Sequence, residues 1–344
     1  MELQAVLAHD RALRRERVFR DPLNPLEVED EHLLRYYRFP RREILWLCDE
    51  LEPDIGRVTR RSHAVPTHTQ VLTALRFYAS GSFQSVVGDA SGLSQSSVSR
   101  IIGKVTDALF SRARREIKMP RSAADIAATK HKFYQLSNFP NVIGAIDCTH
   151  IAIKAPQINE DVYVNRKQYH SLNIQVIANS DQVITSYSAK YPGSSHDSYI
   201  WRNSCVRRSF NRGEFGHSYL LGDSGYPLEP FLMTPIENPA NPAEQRYNRS
   251  HMRTRVVVEQ TFGTLKTRFR CLHRSGGALQ YDPAHCGKIA VACMLLHNLC
   301  VRRGIPMQDA VEYHEEAHPP DIGNVNVGHG RVERQELIQQ AFVL

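Results

Sequence analysis

The feature that most constrains this chain is the run at residues 142–153, Val-Ile-Gly-Ala-Ile-Asp-Cys-Thr-His-Ile-Ala-Ile, with a single carboxylate, Asp147, in its middle. An apolar, β-branched run of this kind reads as a strand buried on both faces. A charge buried there without compensation costs several kcal/mol or forces the group to protonate. The strand therefore requires a cation beside Asp147.

At 344 residues the chain can bury a large core and is long enough for two domains. A hydrophobic content of 42% and a charged content of 23% are ordinary for a soluble globular protein. The net charge of +7 leans toward polyanionic partners. The seven cysteines form no Cys-x-x-Cys pair, which points to reduced thiols in the cytosol or nucleus. The start of the chain lacks the apolar core of a secretory signal. An Arg-rich opening helix would suit mitochondrial import, but Glu2, Asp10 and Glu16 count against that. The longest apolar run, residues 289–301, is interrupted by His297 and Asn298 and is too short to span a bilayer. The expectation is an intracellular soluble protein with no membrane partner.

Pattern divides the chain into four parts. Residues 1–62 show helical spacing at 2–19, 31–37 and 41–51 and read as helices packing together. Residues 63–138 read as a helix-turn-helix-like helical domain. A helix at 66–78 ends at Gly81-Ser82, a short helix covers 83–90, and the turn Ser91-Gly92-Leu93-Ser94 leads into a third helix at 95–109. On that reading Gln95, Ser96, Ser99 and Arg100 face a DNA groove and Lys104 lies near phosphate. A trihelical bundle that only packs against the next domain has the same sequence form. A mixed helical linker, 121–138, completes this part.

From 139 to 303 strands dominate first. Strands are expected at 142–153, 172–178, 183–189, 219–221 and 231–235, with a hairpin turn at 180–182. Helices are expected at 196–210, at about 243–272 and at 283–302. Residues 304–344 form an acidic, partly disordered tail with a short helix at 332–342. The fold class is α/β, a mixed sheet flanked by helices and preceded by an all-α region.

Three carboxylates stand out within that frame. Asp147 lies inside the first strand. Asp223 follows a strand end between Gly222 and Gly225, which let backbone or ligand approach closely. Glu259 adjoins an inward stripe of Val258, Phe262, Leu265 and Phe269 on the long helix. It is the one acid between Glu244 and Asp282, in a stretch rich in Arg and Lys. Such a set suits phosphodiester chemistry with two divalent ions roughly 3.5–4 Å apart. The basic side chains around it, with Arg255, Lys266 and Arg270 assigned here, would neutralise DNA phosphates. Each acid alone also has an ordinary reading, as a turn residue, a helix-surface residue or a satisfied structural Asp.

The strings Gly144-Ala145-Ile146-Asp147-Cys148-Thr149-His150-Ile151, Leu221-Gly222-Asp223-Ser224-Gly225-Tyr226-Pro227 and Val258-Glu259-Gln260-Thr261-Phe262-Gly263-Thr264-Leu265-Lys266 resemble the PIF/Harbinger superfamily of DDE transposases. The 35 residues between Asp223 and Glu259 also suit that superfamily. Within it the chain is most similar to the vertebrate transposase-derived nuclease branch. The likeness runs from about Leu34 to Arg302 and includes the region of Gly81-Ser82-Phe83-Gln84, that of Ser94 to Arg100, and Arg246-Tyr247-Asn248.

The resemblance implies an RNase H-like catalytic core and a Mg²⁺ or Mn²⁺ site with Asp147, Asp223 and Glu259 as catalytic ligands. Asp147 and Asp223 would bridge the metals and Glu259 would hold the second ion. Asp197, in Ser194-Ser195-His196-Asp197-Ser198, matches a further acid of the family pattern and joins the metal set; the alternative is a helix N-terminal Asp facing the macrodipole. The resemblance further implies DNA as substrate and a separate Myb/SANT-like protein that assists nuclear entry and DNA recognition. No basic cluster reads as an import signal, which agrees with entry on such a partner. Residence in nucleus and cytoplasm and self-association complete the expectation.

Some candidates are weighed down by simpler roles. His150 alternates away from Asp147 along a strand, which favours a packed histidine over a general base. Arg166 and Lys167, in the loop at 163–167, suit phosphate contact, although loop charges are commonly just solvated. His285, Cys286, Cys293, His297 and Cys300 share a helical segment, but their apolar neighbours favour core packing over zinc. The expected function is a transposase-derived, divalent-metal-dependent DNA endonuclease without autonomous transposition. An active transposase, or a catalytically silent DNA-binding or scaffold protein working with the Myb-like partner, are the alternatives.

Overall fold

In the computed structural model, residues 28–56, 65–307 and 328–343 are described. The expected helix at 2–19 lies outside them. Six helices precede the first strand: α1 (Asp30–Tyr37), α2 (Arg41–Ile55), α3 (Thr67–Ser80), α4 (Gln84–Ser91), α5 (Gln95–Glu116) and α6 (Ala123–Ser137). Then come β1 (Val142–Ala152), β2 (Ser171–Ala178), β3 (Ile184–Pro192), α7 (Asp197–Arg202), α8 (Cys205–Asn211), β4 (Tyr219–Leu221), β5 (Leu232–Met233), α9 (Pro242–Arg268), α10 (Pro283–Arg302) and α11 (Gly328–Ala341).

The five strands form one sheet in the order β3-β2-β1-β4-β5. The β1–β2 and β2–β3 pairs are antiparallel, and β4 and β5 continue the sheet parallel to β1. Three antiparallel strands followed by two parallel ones, with helices on both faces, make the core RNase H-like. β1 is central, and its side chains feed two separate apolar layers. Val142, Ala145 and Ile151 join α9 and α10 on one face, while Ile143, Ile146 and Cys148 meet Ile200, Trp201 and Tyr226 on the other. That double cover is why the run has no polar alternation.

The β2–β3 turn is built from side-chain mimicry. Asn179 Oδ1 accepts the N–H groups of Asp181 (3.0 Å) and Val183 (2.9 Å), and Gln182 takes the left-handed conformation, φ 62°. The expected single helix at 196–210 is instead α7 and α8. Ser204 accepts the Arg207 N–H at 3.1 Å and starts a new helix, a cap signal that the apolar spacing masks. α9 begins with Asn241 capping Glu244 N–H and with Pro242 in its first turn. It stops at Arg268, after which residues Arg270–Leu272 tighten into a 3₁₀ turn, shorter than the helix expected to 272.

The helical region and the sheet share one apolar core. Leu33, Ile44, Leu75, Val98, Ile102 and Leu109 belong to the same cluster as Val142, Ile174, Phe262 and Leu296. The boundary expected near residue 139 is thus a change of element type within continuous packing. α10 makes the connection, lying against both α5 and β3. Gly287 permits the approach, since a Cβ there would stand 2.3 Å from Ala189 O. By length and composition α10 could cross a membrane, yet 72% of its most apolar window is buried inside the protein. Cys286, Cys293 and Cys300 are buried along it as core side chains, with burial pushing the Cys286 and Cys300 thiols up to about 12.

The two polar residues that interrupt the α10 run clamp the hairpin. Asn298 accepts Ile184 N–H at 2.8 Å and donates to Ile184 O at 2.7 Å, as a neighbouring strand would. His297 Nε2–H donates to Gln182 O at 2.8 Å, and its Nδ1 is buried without a partner.

Burial pushes His297 down to about 4, and His251 likewise. In the unfolded chain both return to about 6.5. Between these values the unfolded state binds more protons, so stability is full above pH 6.5 and falls as pH drops toward 4, by up to roughly 1.4 kcal/mol per pH unit per group. Thermal melts across this window should show the decline. His297→Gln, which keeps a donor for Gln182 O, should flatten it by about half; equal slopes in the two proteins would contradict the assignment.

Candidate active site

The central carboxylates are aligned by the parallel register of β1 and β4. Ala145 pairs with Leu221, so the residues two further along each chain, Asp147 and Asp223, leave the sheet at the same level. The paired residues two positions earlier, Ala145 and Leu221, both belong to the apolar layer that includes α9. Side-chain direction alternates along a strand, so both acids project toward that helix. Asp147 is only 8% exposed, and its Oδ1 accepts the Cys148 N–H at 2.8 Å. Asp223 Oδ1 accepts the Gly225 N–H at 3.0 Å, which turns the carboxylate back over the strand end.

Asp197 arrives from the opposite direction, as the first residue of α7. Asn173 on β2 donates to Asp197 Oδ1 at 2.9 Å and to Ser195 O at 2.8 Å, fixing both the side chain and the loop that carries it. Glu229, in the connection from β4 to β5, adds a second brace. It accepts from Trp201 on α7 at 3.1 Å and from Arg207 on α8 at 2.9 Å, which ties the Asp197 helix to the chain following Asp223. One carboxylate oxygen each from Asp147, Asp197 and Asp223 lie within 4.8 Å of one another.

Gly225 keeps that space open. A Cβ at this position would stand 3.2 Å from Asp223 Oδ1 and 3.8 Å from Asp197 Oδ2, in the gap between the two acids. Three converging hard oxygen donors with room between them fit Mg²⁺ or Mn²⁺. Cys148 lies beneath them, hydrogen-bonded to Tyr226 at 3.2 Å. Burial and the nearby Asp197 push its thiol well above the ordinary range, so it remains a neutral core group.

Glu259 lines the same cleft, which encloses about 600 Å³ and is also bounded by Asp147, Asp223, Arg255, Arg249 and Met252. It does not join the mutual convergence of the three aspartates. Arg255, one turn before it on α9, stands between: its Nη1 donates to Asp147 Oδ2 at 2.8 Å and its Nη2 to Glu259 Oε1. The cation that the buried strand demands is therefore supplied by the chain itself. Burial works against the Arg255 charge, but Asp147, Glu259 and Asp223 more than offset this and push its pKa above the usual arginine value.

Arg255, Lys266 and Lys104, all expected on a DNA track, have intramolecular partners in this structure. Arg255 bridges the acids. Lys266 is 3% exposed and donates to Thr149 Oγ1, because its helical position turns it onto β1 rather than outward. Lys104, although exposed, donates to Ile55 O at 2.9 Å at the carbonyl end of α2, where a cation offsets the helix dipole. Gln95, Ser96, Arg100, Arg166, Lys167 and Arg270 are exposed, and Ser99 is half-buried. Ser94 caps α5 by accepting the Ser97 N–H, and Gly92 takes the left-handed turn expected of the helix-turn-helix form. Arg166 Nη2 donates to His196 Nδ1 at 2.7 Å, beside Asp197. His150 is satisfied by Ser171 Oγ at 3.0 Å.

Sequence reasoning overlooked the positioning roles of Asn173, Glu229 and Tyr226. Arg246, Tyr247 and Asn248 prove to be anchors: they bond Phe342 O, Thr234 O and the Ile236 backbone, respectively, and so hold the cleft wall against α9.

Comparison with known proteins agrees with this geometry. Residues 146–298 match the family described as DDE superfamily endonuclease. The chain is 42% identical over 321 residues to the Homo sapiens protein named "Putative nuclease HARBI1", covering 92% of each. The Xenopus laevis protein of the same name is 38% identical over 279 residues, covering 81% of this chain and 80% of the relative. The Arabidopsis thaliana protein Antagonist of Like Heterochromatin Protein 1 is 27% identical over 305 residues, covering 82% and 76%. No solved structure matches the chain.

The reassignment of Lys266 can be checked against Arg270. Lys266→Ala should lower stability by about 2–4 kcal/mol in chemical denaturation, through the lost contact and the cavity. It should leave the salt dependence of DNA binding unchanged. Arg270→Ala should do the reverse, leaving stability unchanged and reducing the salt slope by about one unit.

Proposed function

Since the chain belongs to the harbinger transposase-derived branch of the DDE superfamily endonucleases, and is a nuclease on that ground, we propose that it cleaves DNA phosphodiester bonds with divalent metal held by Asp147, Asp197, Asp223 and Glu259. The observation that carries this reading is the convergence of three aspartate oxygens within 4.8 Å at the mouth of a cleft that Glu259 also lines. Bound there, Mg²⁺ or Mn²⁺ would supply Lewis acidity to activate a water and to stabilise the departing oxygen.

The chain's own residues do the rest. The Cys148 and Gly225 N–H groups hold Asp147 and Asp223 in fixed orientations, and Asn173 holds Asp197. Preorganised carboxylates need little rearrangement when a cation arrives. The cleft continues along α9 from Glu259 to Gln245, roughly 20 Å of helix, long enough for several nucleotides of one strand. Arg249 lies along that path and is exposed, placed to meet phosphates. Gln95, Ser96, Ser99 and Arg100 at the start of α5 form the surface suited to a DNA groove.

The finer biology follows from the same reading. On this reading the enzyme acts as a host nuclease without autonomous transposition, in nucleus and cytoplasm, with a Myb/SANT-like protein guiding it to DNA and with self-association. The net charge of +7 supports a polyanionic substrate.

Plasmid nicking in Mg²⁺ or Mn²⁺ tests the chemistry. Asp223→Ala and Glu259→Ala, matched for folding by circular dichroism, should lose about a thousandfold or more of the wild-type rate, the loss expected when several kcal/mol of metal-assisted stabilisation disappears. Equal nicking by all three proteins would sink the assignment. So would DNA binding with no metal-dependent cleavage by the wild type, which would favour a scaffold.

A further inference from the structure

Arg255 sits in a place that the two-metal reading needs for a cation. Its two terminal nitrogens take one oxygen each of Asp147 and Glu259, the two residues that would hold an ion on that side of the cleft. Each guanidinium N–H takes a carboxylate lone pair, and its positive charge competes with a divalent cation for the Asp147–Glu259 side of the cleft. The site is consequently asymmetric. Asp147, Asp197 and Asp223 converge with space between them, whereas the Asp147–Glu259 half is filled by protein.

The pair is not a generic helix-surface contact. An acid placed before a base is the favoured i,i+4 order, and Arg255–Glu259 runs the other way. The Arg255 side chain is only 19% exposed, so it is held inside the cleft and not along the solvent face. Arginine is also the side chain best matched to a phosphate, since its planar fork can donate to two phosphate oxygens at once. The cleft that would carry the DNA strand passes directly beside it.

We propose that Arg255 is the resident counter-ion of this site: without DNA it closes the Asp147–Glu259 half, and it passes to a backbone phosphate when DNA binds, so that the second divalent cation enters only with substrate. This rests on the metal-dependent nuclease reading above and specifies how that site is assembled. It makes Arg255 a positioning residue whose removal changes how many ions the free protein accepts, not merely how fast it cuts.

Calorimetric titration of Mn²⁺ into the metal-free full-length protein reads this directly. The wild type should take up one equivalent without DNA and a second when a short uncleavable duplex is present, after subtraction of Mn²⁺ binding by the duplex alone. Arg255→Met should take up two equivalents without DNA, and in EDTA should melt at a lower temperature because Asp147 has lost the guanidinium that offsets its buried charge. Arg255→Lys, which keeps the positive charge but loses the planar fork, should bind the second ion about tenfold more weakly than Arg255→Met. Two equivalents in the DNA-free wild type, or no gain in stoichiometry on adding duplex, would overturn the proposal without any variant. One equivalent in both wild type and Arg255→Met, abolished by Asp223→Ala, would also overturn it while leaving the metal site standing. If none of the proteins takes up Mn²⁺ in a manner that Asp223→Ala removes, the nuclease reading itself fails and this proposal with it.

Discussion

A carboxylate at the centre of a buried strand has to be answered by a cation, and the Arg255 guanidinium, 2.8 Å from Asp147, answers it here. Much of the C-terminal half of the chain serves to bring that group to that point. The rotation of α9 is set by Val258, Phe262 and Leu265 packing on the β1 face of the sheet. With that stripe inward, Arg255 and Glu259 are carried along the cleft edge one turn apart. The axial position of α9 is set at its other end, where Tyr247 reaches Thr234 O and Asn248 pairs with the Ile236 backbone in both directions. Arg246 extends the anchorage to Phe342 at the end of α11. A charge that would be intolerable alone thereby becomes part of a site.

The same logic explains what the sequence revealed. Asp147 and Asp223 were legible because each is tied to a strand, and two residues past a parallel pairing of Ala145 with Leu221 there is only one place for them. Glu259 was legible because its neighbour Val258 belongs to an apolar stripe of helical period. The hairpin turn was legible from its local chemistry, Asn179 through Val183. Each of these is a short-range statement, fixed by backbone period or by a turn.

What escaped the sequence depended on long-range contact or on where a flexible side chain turns. Asp197 was placed in the metal set through the family resemblance, but its aim by Asn173, on a strand 24 residues earlier, is encoded in no local pattern. Arg255, Lys266 and Arg270 look alike as basic residues on one helical stretch, yet one bridges two acids, one is buried against Thr149 and one faces solvent. Long stems let the charge follow its nearest partner, so sign and spacing alone do not say which partner that is. Lys104 makes the same point on α5, where the nearest partner is the carbonyl end of α2. The break between α7 and α8 was missed for a different reason: the apolar spacing runs straight across Ser204, and only its cap bond to Arg207 separates the helices.

The shared core limits how this molecule can respond to DNA. α10 packs at once on α5, which carries the residues proposed to meet a DNA groove, and on β3, with Gly287 against Ala189 leaving no space for the helix to slide. Interiors packed at crystal-like density switch between discrete arrangements and do not deform continuously. The start of α5 and the acidic cluster are accordingly held at a fixed separation, unlike two modules on a flexible linker. Hinge closure around the substrate would have to break that core. A side chain can move without doing so, and Arg255 lies where a phosphate can offer it equivalent acceptors. The smallest change that converts the resting site into one ready for a second cation is therefore the transfer of one guanidinium from carboxylates to DNA, with the backbone left in place.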